Sequence, residues 1–147
     1  MHSAEGTASG ILEPTMGKAN LILLLAAATS SVLAEEWVAV GTTEDGGITV
    51  YADQSTIRKE RNIVRIRTLG DFKKAEKLGS KKQFLSLMEQ YEYDCNEERM
   101  RRLYATMHSE NMGRGSVVAS GPINEAWQSV PPDSLNEQLW EFACGKN

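Results

Sequence analysis

The chain has little of several residue types, and each shortage narrows the functions that the sequence allows. Its 147 residues contain only two cysteines and two histidines. Two cysteines without a C-x-x-C spacing do not form a usual four-ligand metal set, even with His108 added. The net charge of −4 shows no basic excess that would indicate nucleic-acid binding. We therefore predict no metal, no cofactor and no nucleic-acid partner.

A catalytic constellation is also missing. His108 is the only histidine after residue 34, and no serine or cysteine nucleophile can be paired with it from the sequence. Carboxylates could in principle form the acid pair of a glycosidase. However, Asp53 lies in a Ser/Thr-rich turn where aspartate usually caps its own backbone, and Glu92 and Asp94 fall on the predicted solvent face of a strand. We predict no catalytic residues and no enzyme.

Long hydrophobic runs are limited to one stretch near the N-terminus, which we interpret as a signal peptide over residues 16–34. Lys18 provides the basic N-terminal region, Leu21–Ala28 the apolar region and Val32–Ala34 the cleavage site that ends in a small residue. The run is shorter than the roughly 20 apolar residues of a membrane-spanning helix. We predict cleavage after Ala34 and a periplasmic or secreted product with no stable membrane anchor.

Residues 1–15, before this segment, do not have the sequence expected at the N-terminus of a signal peptide. Glu5 and Glu13 would place negative charge where a basic region belongs. Residues 1–15 are interpreted as a start-site artefact or a disordered leader, and residues 35–147 as the single folded domain. Cys95 and Cys144 both lie in that domain, and in an oxidising compartment an even pair predicts one disulfide.

Most of the domain shows the alternation that is typical of strands. Period-two patterns and turn residues predict strands at 36–42, 48–52, 63–69, 84–95, 99–109 and 117–119. Residues 53–57 are predicted to form a polar turn, 73–82 a charged loop and 111–115 a tight turn. In the strand over 99–109, Arg101, Leu103, Ala105 and Met107 are predicted to share one face.

Near the C-terminus the spacing of apolar residues changes from the period of two of a strand to that of a helix, and this pattern predicts a helix. Ser134-x-x-Glu137 is a capping box, and Gly145 is a suitable C-cap. An apolar stripe follows at i, i+4 and i+7, formed by Leu135, Leu139 and Phe142. The disulfide would pin this helix to the sheet face that shows Tyr91, Tyr93 and Cys95.

Several motifs together resemble a known family. They are E-W-V-x-V-G at 36–41, V-Y-A-D-x-S-T-I at 50–57, Y-x-Y-D-C at 91–95 with the basic segment 99–102 after it, N-M-G-x-G-x-V-V at 111–118, and W-x-S-V-P-P-x-S followed by L-W-E-F-A-C within 127–144. In this order they resemble the surface-adhesin protein E-like family of bacterial exported proteins. The resemblance covers nearly the whole chain after the signal peptide.

The resemblance implies an α+β fold: a single curved antiparallel sheet of about six strands, with a C-terminal helix packed on its concave face and tethered by the disulfide. It also implies an adhesin-like binding domain that dimerises. Glu35 stands where the lipid-anchored cysteine of the family's namesake would sit.

Basic residues form the predicted binding patch. Its members are Lys73, Lys74, Lys77, Lys81, Lys82, Arg99, Arg101 and Arg102. Such a patch would attract an acidic protein or a cell-envelope polyanion. The alternative is a solvated loop that keeps a strand edge soluble.

The predicted function is therefore that of an exported, non-enzymatic protein–protein interaction or adhesin-like domain, with a homodimer through a strand edge. The alternative is a periplasmic carrier of a small lipid-like ligand. Its ligand would lie under the helix near Tyr91, Tyr93 and Trp140.

Overall fold

The computed structural model describes residues 34–146. The predicted leader and the predicted signal peptide up to residue 33 lie outside the described residues. Within the described part, the chain forms an open antiparallel sheet with one C-terminal helix, α1 (Leu135–Cys144). The strands are β1 (Trp37–Thr42), β2 (Ile48–Glu60), β3 (Ile63–Leu78), β4 (Lys82–Asp94), β5 (Arg99–His108), β6 (Val117–Pro122) and the two-residue β7 (Gln128–Ser129).

The sheet is a simple meander. Strands β1 to β6 lie side by side in sequence order, and β7 pairs with β5 beyond the end of β6. Each neighbouring pair is antiparallel, as short hairpin connections require. The α+β fold with six main strands and a disulfide-tethered helix is therefore confirmed.

Two predicted breaks in the sheet are wrong. Strand β2 continues through the predicted polar turn at 53–57, where a register shift between Asp53 and Arg58 absorbs the extra residues. Strands β3 and β4 both extend into the predicted loop at 73–82. Residues 73–77 and 81–83 are exposed, so these strand ends have no buried face and their sequence shows no apolar alternation.

A further register shift, between β4 and β5, changes the faces of β5. Gln90 lies opposite Tyr104, whereas Tyr91 lies opposite Arg102, so Leu103 is the extra residue of a bulge. The predicted shared face from Arg101 to Met107 is therefore wrong. Because a one-residue bulge inverts the alternation, Arg101 points to the face opposite that of Ala105 and Met107.

The helix has the predicted ends. The Ser134 hydroxyl accepts a hydrogen bond from the Glu137 backbone N–H at 3.1 Å, and Gly145 adopts a left-handed conformation with φ of 69°. The buried stripe differs from the predicted one. Only Leu139 of the predicted stripe is fully buried, and it is joined by Trp140 and Ala143. Phe142 of the predicted stripe is partly buried and packs against the same core, and Trp140, next to Leu139, faces the sheet.

The core lies between α1 and one face of the sheet. Tyr91, Tyr93 and Cys95 line this face, as predicted, and Leu139 and Trp140 pack against them. The Cys95–Cys144 disulfide joins the end of β4 to the last residue of the helix, with a Cα–Cα distance of 5.7 Å. The opposite face, which we call the outer face, carries no α-helix in the described part of the chain. A short 3-10 helix (Asn111–Gly113) packs on one end of it, where the Gly113 backbone N–H donates to the Ser86 hydroxyl at 2.9 Å, and the other end is rich in charge.

Candidate functional site

A row of charged side chains crosses the outer face. Arg58, Arg65, Glu92 and Arg101 lie opposite one another on β2, β3, β4 and β5. Glu92 accepts a hydrogen bond from Arg101 at 3.0 Å, and its carboxylate lies 3.8 Å from the Arg65 guanidinium. The predicted exposure of Glu92 is wrong, since the residue is only 8% exposed. The long arginine side chains on both sides cover it.

Asp94 is the second carboxylate whose predicted exposure is wrong. Burial would raise the pKa of Asp94, but hydrogen bonds from Arg99, the Glu97 backbone, Asn62 and the Asn96 backbone outweigh it and lower the pKa to about 2. The carboxylate therefore stays charged and ties together the turn between β4 and β5.

The turn between β2 and β3 is hydrogen-bonded to the same end of β4. Asn62 donates its side-chain amide to Asp94 at 2.9 Å, and its carbonyl accepts the Cys95 backbone N–H at 2.8 Å. Cys95 is itself bonded to Cys144 of the helix. The Arg61–Asn62 turn is thus held through the end of β4 by the disulfide and by the buried carboxylate.

A depression of about 700 Å³ opens beside this turn on the outer face. We call it the arginine cleft, and its charged lining consists of Arg58, Lys59, Glu60, Arg61, Arg65 and Glu92. The Arg58 guanidinium donates to the backbone carbonyls of Ser55 and Ile57 through one nitrogen, at 3.1 and 2.9 Å. Among the described residues Arg58, Lys59 and Arg61 form no ion pair, so the cleft carries unneutralised positive charge.

The predicted basic patch is divided among three places. Five exposed lysines (Lys73, Lys74, Lys77, Lys81 and Lys82) lie on the projecting ends of β3 and β4 and on the turn between them, which together we call the lysine arm. Arg99 and Arg101 lie at the other end of the sheet. About ten residues of β4 separate Lys82 from Glu92, the partner of Arg101, and at about 3.3 Å per residue this is roughly 30 Å.

Arg99 and Arg101 already have partners. Arg99 donates to Asp94 at 2.9 Å and Arg101 to Glu92 at 3.0 Å. Both guanidinium groups also lie over the Trp127 ring, at 5.4 and 4.5 Å from its centroid. The contacts of these two arginines are therefore within the domain, and their charge is less available to a partner than that of the lysines.

Arg102 points to the opposite face of the sheet, toward the helix side. It bridges Glu89 and Glu125, each at 3.2 Å. Burial raises the pKa of Glu89, although the Arg102 guanidinium counteracts this, and hydrogen bonds chiefly to Glu125 raise the pKa of Arg102. The structure therefore does not bring Arg102 together with the other basic residues.

Sequence reasoning missed the arginine cleft. Its signal is the segment R-K-E-R-N-I-V-R at 58–65, in which four of the eight residues are basic. The predicted turn at 53–57 hid this signal, because it ended the second strand at residue 52 and left Arg58 outside any predicted strand. Once β2 is continuous, the register places the two arginines opposite each other.

The geometry of the described residues gives no support to a catalytic role for His108, to a metal site or to a ligand site under the helix. The ring nitrogens of His108 have no hydrogen-bond partner among residues 34–146, and this part of the chain holds no cluster of three metal-ligating side chains. Side chains fill the space under the helix near the proposed carrier site: Tyr91 is 7% exposed, Tyr93 0% and Trp140 6%. No helix in the described part is long and apolar enough to cross a membrane.

These features define a small disulfide-bonded α+β domain with an open antiparallel sheet, a single covering helix and a charged outer face. The family described as Surface-adhesin protein E matches residues 37–145. The chain therefore belongs to the surface-adhesin protein E family, which confirms the resemblance found in its motifs.

Solved structures of Haemophilus influenzae protein E share the fold. Crystal form II has 15% sequence identity and a TM-score of 0.53, covering 75% of this chain and 96% of that one. The selenomethionine form has 13% identity and a TM-score of 0.55, covering 75% and 86%. At this identity the similarity shows the fold alone. No curated protein sequence matches this chain significantly.

Proposed function

We propose that this chain is an exported, non-enzymatic adhesin-like domain, and that it binds an acidic partner through the lysine arm. The family supports the adhesin-like function. The single observation that carries the choice of surface is the exposure of all five lysines of the arm without an ion pair among the described residues.

The geometry of the arm favours contact with a partner. Strand β2 pairs with β3 only as far as Phe72, and β5 pairs with β4 only from Ser86 onward. Beyond these residues no further strand of the described part pairs with the arm. Its base is contacted by the Lys73 backbone N–H, which donates to the Gly47 carbonyl at 2.9 Å, and by the Lys82 ammonium, 3.5 Å from the Val118 carbonyl. Clustered charge of one sign on a projecting element raises the local potential and accelerates association with a partner of opposite charge.

The acidic partner is an acidic protein or a cell-envelope polyanion. The arm alone does not distinguish these classes, since lysine acts as a point charge rather than a shaped receptor. The test uses the oxidised domain, residues 35–147, against immobilised matrix proteins, peptidoglycan and lipopolysaccharide. A partner that binds the domain above an unrelated control domain is then used to compare variants.

Matched charge reversals decide whether the arm is responsible. Lys77→Glu and Arg114→Glu change the net charge equally, and both residues are exposed, but only Lys77 lies on the arm. We expect Lys77→Glu to weaken binding and the triple variant Lys73→Glu, Lys74→Glu, Lys77→Glu to abolish it. Unchanged binding of the triple variant, or equal losses for Lys77→Glu and Arg114→Glu, would overturn the proposal.

A further inference from the structure

We propose that the arginine cleft is a second binding site, separate from the lysine arm, for a saccharide that carries sulfate or carboxylate groups. The inference rests on different residues from those of the proposed function and stands independently of it. The cleft lies at the opposite end of β4 from the arm, and its lining contains none of the arm's lysines.

The first argument is the charge balance of the cleft. Arg101 hydrogen-bonds the Glu92 carboxylate at 3.0 Å, whereas Arg65 lies 3.8 Å from it. With Glu92 neutralised by Arg101, only Glu60 opposes the four cationic side chains of the lining. Like charges directly opposite on neighbouring strands destabilise a sheet, and Arg58 lies opposite Arg65. An oxyanion between the two guanidinium groups would remove this repulsion.

The second argument is the preorganisation of Arg58. Its Nη1 atom donates to the carbonyls of Ser55 and Ile57, which limits the positions of the guanidinium. Its remaining N–H groups have no protein acceptor among the described residues. A guanidinium held in this way offers paired donors that match the two oxygens of a carboxylate or sulfate.

The third argument is the backbone conformation at Arg61. Its φ of 56° lies in the left-handed region, which glycine adopts without cost and which other residues rarely adopt. The chain nevertheless has arginine at this turn, at the rim of the cleft. Strained backbone conformations at residues other than glycine cluster at ligand-binding sites, although Glu98, Met112 and Asp133 outside the cleft have a positive φ as well.

The fourth argument is the chemistry of the lining, which favours a hydroxylated anion. The volume of about 700 Å³ is within the range of small-ligand sites. Among residues 34–146, Ile63 is the only apolar residue of the lining, and no aromatic side chain lines the cleft to anchor an apolar ligand or a protein hot spot. Arginine, lysine and asparagine side chains are donors suited to sulfate, carboxylate and sugar hydroxyl groups.

The experiment titrates each probe into the oxidised domain and monitors the chemical shifts of the domain's backbone amides by NMR. The probes are a heparin-derived tetrasaccharide, its fully desulfated form, neutral maltotetraose and a tetraglutamate peptide. We expect the heparin fragment to shift amides of residues 58–65 and to bind more tightly than maltotetraose and tetraglutamate. Comparison with the desulfated form shows whether sulfate or carboxylate is the preferred group, and either preference supports the proposal.

The decisive variant is Arg61→Gly, with Arg114→Gly as its matched control. Arg61→Gly removes a charge and relieves the left-handed backbone, so we expect an equal or higher midpoint of urea unfolding together with about tenfold weaker saccharide binding, as expected for loss of a charged hydrogen bond. Arg114→Gly makes the same chemical change at an exposed position outside the cleft and should leave the affinity unchanged.

Several results would overturn the proposal. These are equal losses for the two Arg→Gly variants, amide shifts confined to residues 73–82, or tighter binding of tetraglutamate than of the heparin fragment. The triple lysine variant separates this proposal from the proposed function. It should lose the acidic partner of the arm and keep the shifts of residues 58–65, so either result can fail without the other.

Discussion

The indole N–H of Trp140 donates a hydrogen bond of 2.9 Å to the backbone carbonyl of Asp94. This bond joins the helix to the last residue of β4, directly before the disulfide-bonded Cys95. The Asp94 side chain points the other way and holds Asn62 beside the arginine cleft. A single residue thus connects the helix on one face of the sheet to the charged site on the other.

Trp140→Phe tests this connection. Phenylalanine keeps most of the packing but leaves the buried Asp94 carbonyl without its indole donor, so we expect a loss of about 1–2 kcal/mol in the free energy of unfolding. Urea denaturation measures it. Trp127→Phe is the control, since Trp127 lies over exposed arginine side chains and its replacement should cost less than about 0.5 kcal/mol. Equal effects of the two changes would contradict the role of the hydrogen bond.

Removing the disulfide by the double variant Cys95→Ala, Cys144→Ala should destabilise the domain strongly. The bridged residues are 49 apart in sequence, and in the chain-entropy model a loop of this length contributes about 4 kcal/mol. The urea midpoint of the wild-type domain should fall on reduction to that of the double variant. A variant that unfolds at the oxidised wild-type midpoint would show that the bridge adds no stability.

The pH dependence of stability should contain a contribution from Asp94. Its pKa in the folded protein, about 2, lies below the ordinary value of 3.8. The contribution is therefore fully present above about pH 4 and is lost as the pH falls toward about pH 2. A shift of this size corresponds to about 2 kcal/mol.

Asp94→Asn is the variant that isolates this contribution. Its deficit in the free energy of unfolding should be largest near neutral pH and should shrink as the pH approaches about 2. Asp133→Asn is the control, because Asp133 is exposed and asparagine tolerates its φ of 54°. A deficit for Asp94→Asn that is constant with pH would mean that lost packing, not charge, causes it.

Gly41→Ala should disturb the contact between β1 and the helix. A Cβ atom at residue 41 would overlap the Gln138 side-chain oxygen and lie 2.6 Å from a methyl carbon of Leu135. Both atoms are the ends of flexible side chains in the first turns of α1 and can turn aside without moving the helix backbone, so we expect a loss of at most about 1 kcal/mol. Gly121→Ala, where a Cβ would meet nothing within 4 Å, is the matched control in urea denaturation. Equal stability of the two variants would show that the helix start adapts freely.

Features that depend on local chemistry were predictable. Ser134, Glu137 and Gly145 mark both ends of the helix because capping satisfies backbone groups within one turn. The strand ending in Tyr91, Tyr93 and Cys95 was identified because one of its faces is buried and the alternation is therefore visible. The two cysteines indicated a disulfide because no other partner for either exists in the sequence.

Features that depend on pairing between distant segments were not predictable. The bulge at Leu103 places Arg101 on the face opposite that of Ala105 and Met107, and only the register with β4 reveals it. Likewise, the burial of Glu92 results from arginines on two neighbouring strands. In both cases the side chain's environment is set by residues that lie far away in the sequence.

The sequence by itself determined the presence of six main strands, the helix caps and the bridge of this protein, since each of these depends on neighbouring residues or on a unique pair. Only the tertiary structure decided which basic residues stand together. It separated the lysine arm from Arg99 and Arg101 and brought Arg58 opposite Arg65. The physical reason is strand register: one inserted residue reverses the face of every side chain beyond it, and register is chosen by the packing of the whole sheet.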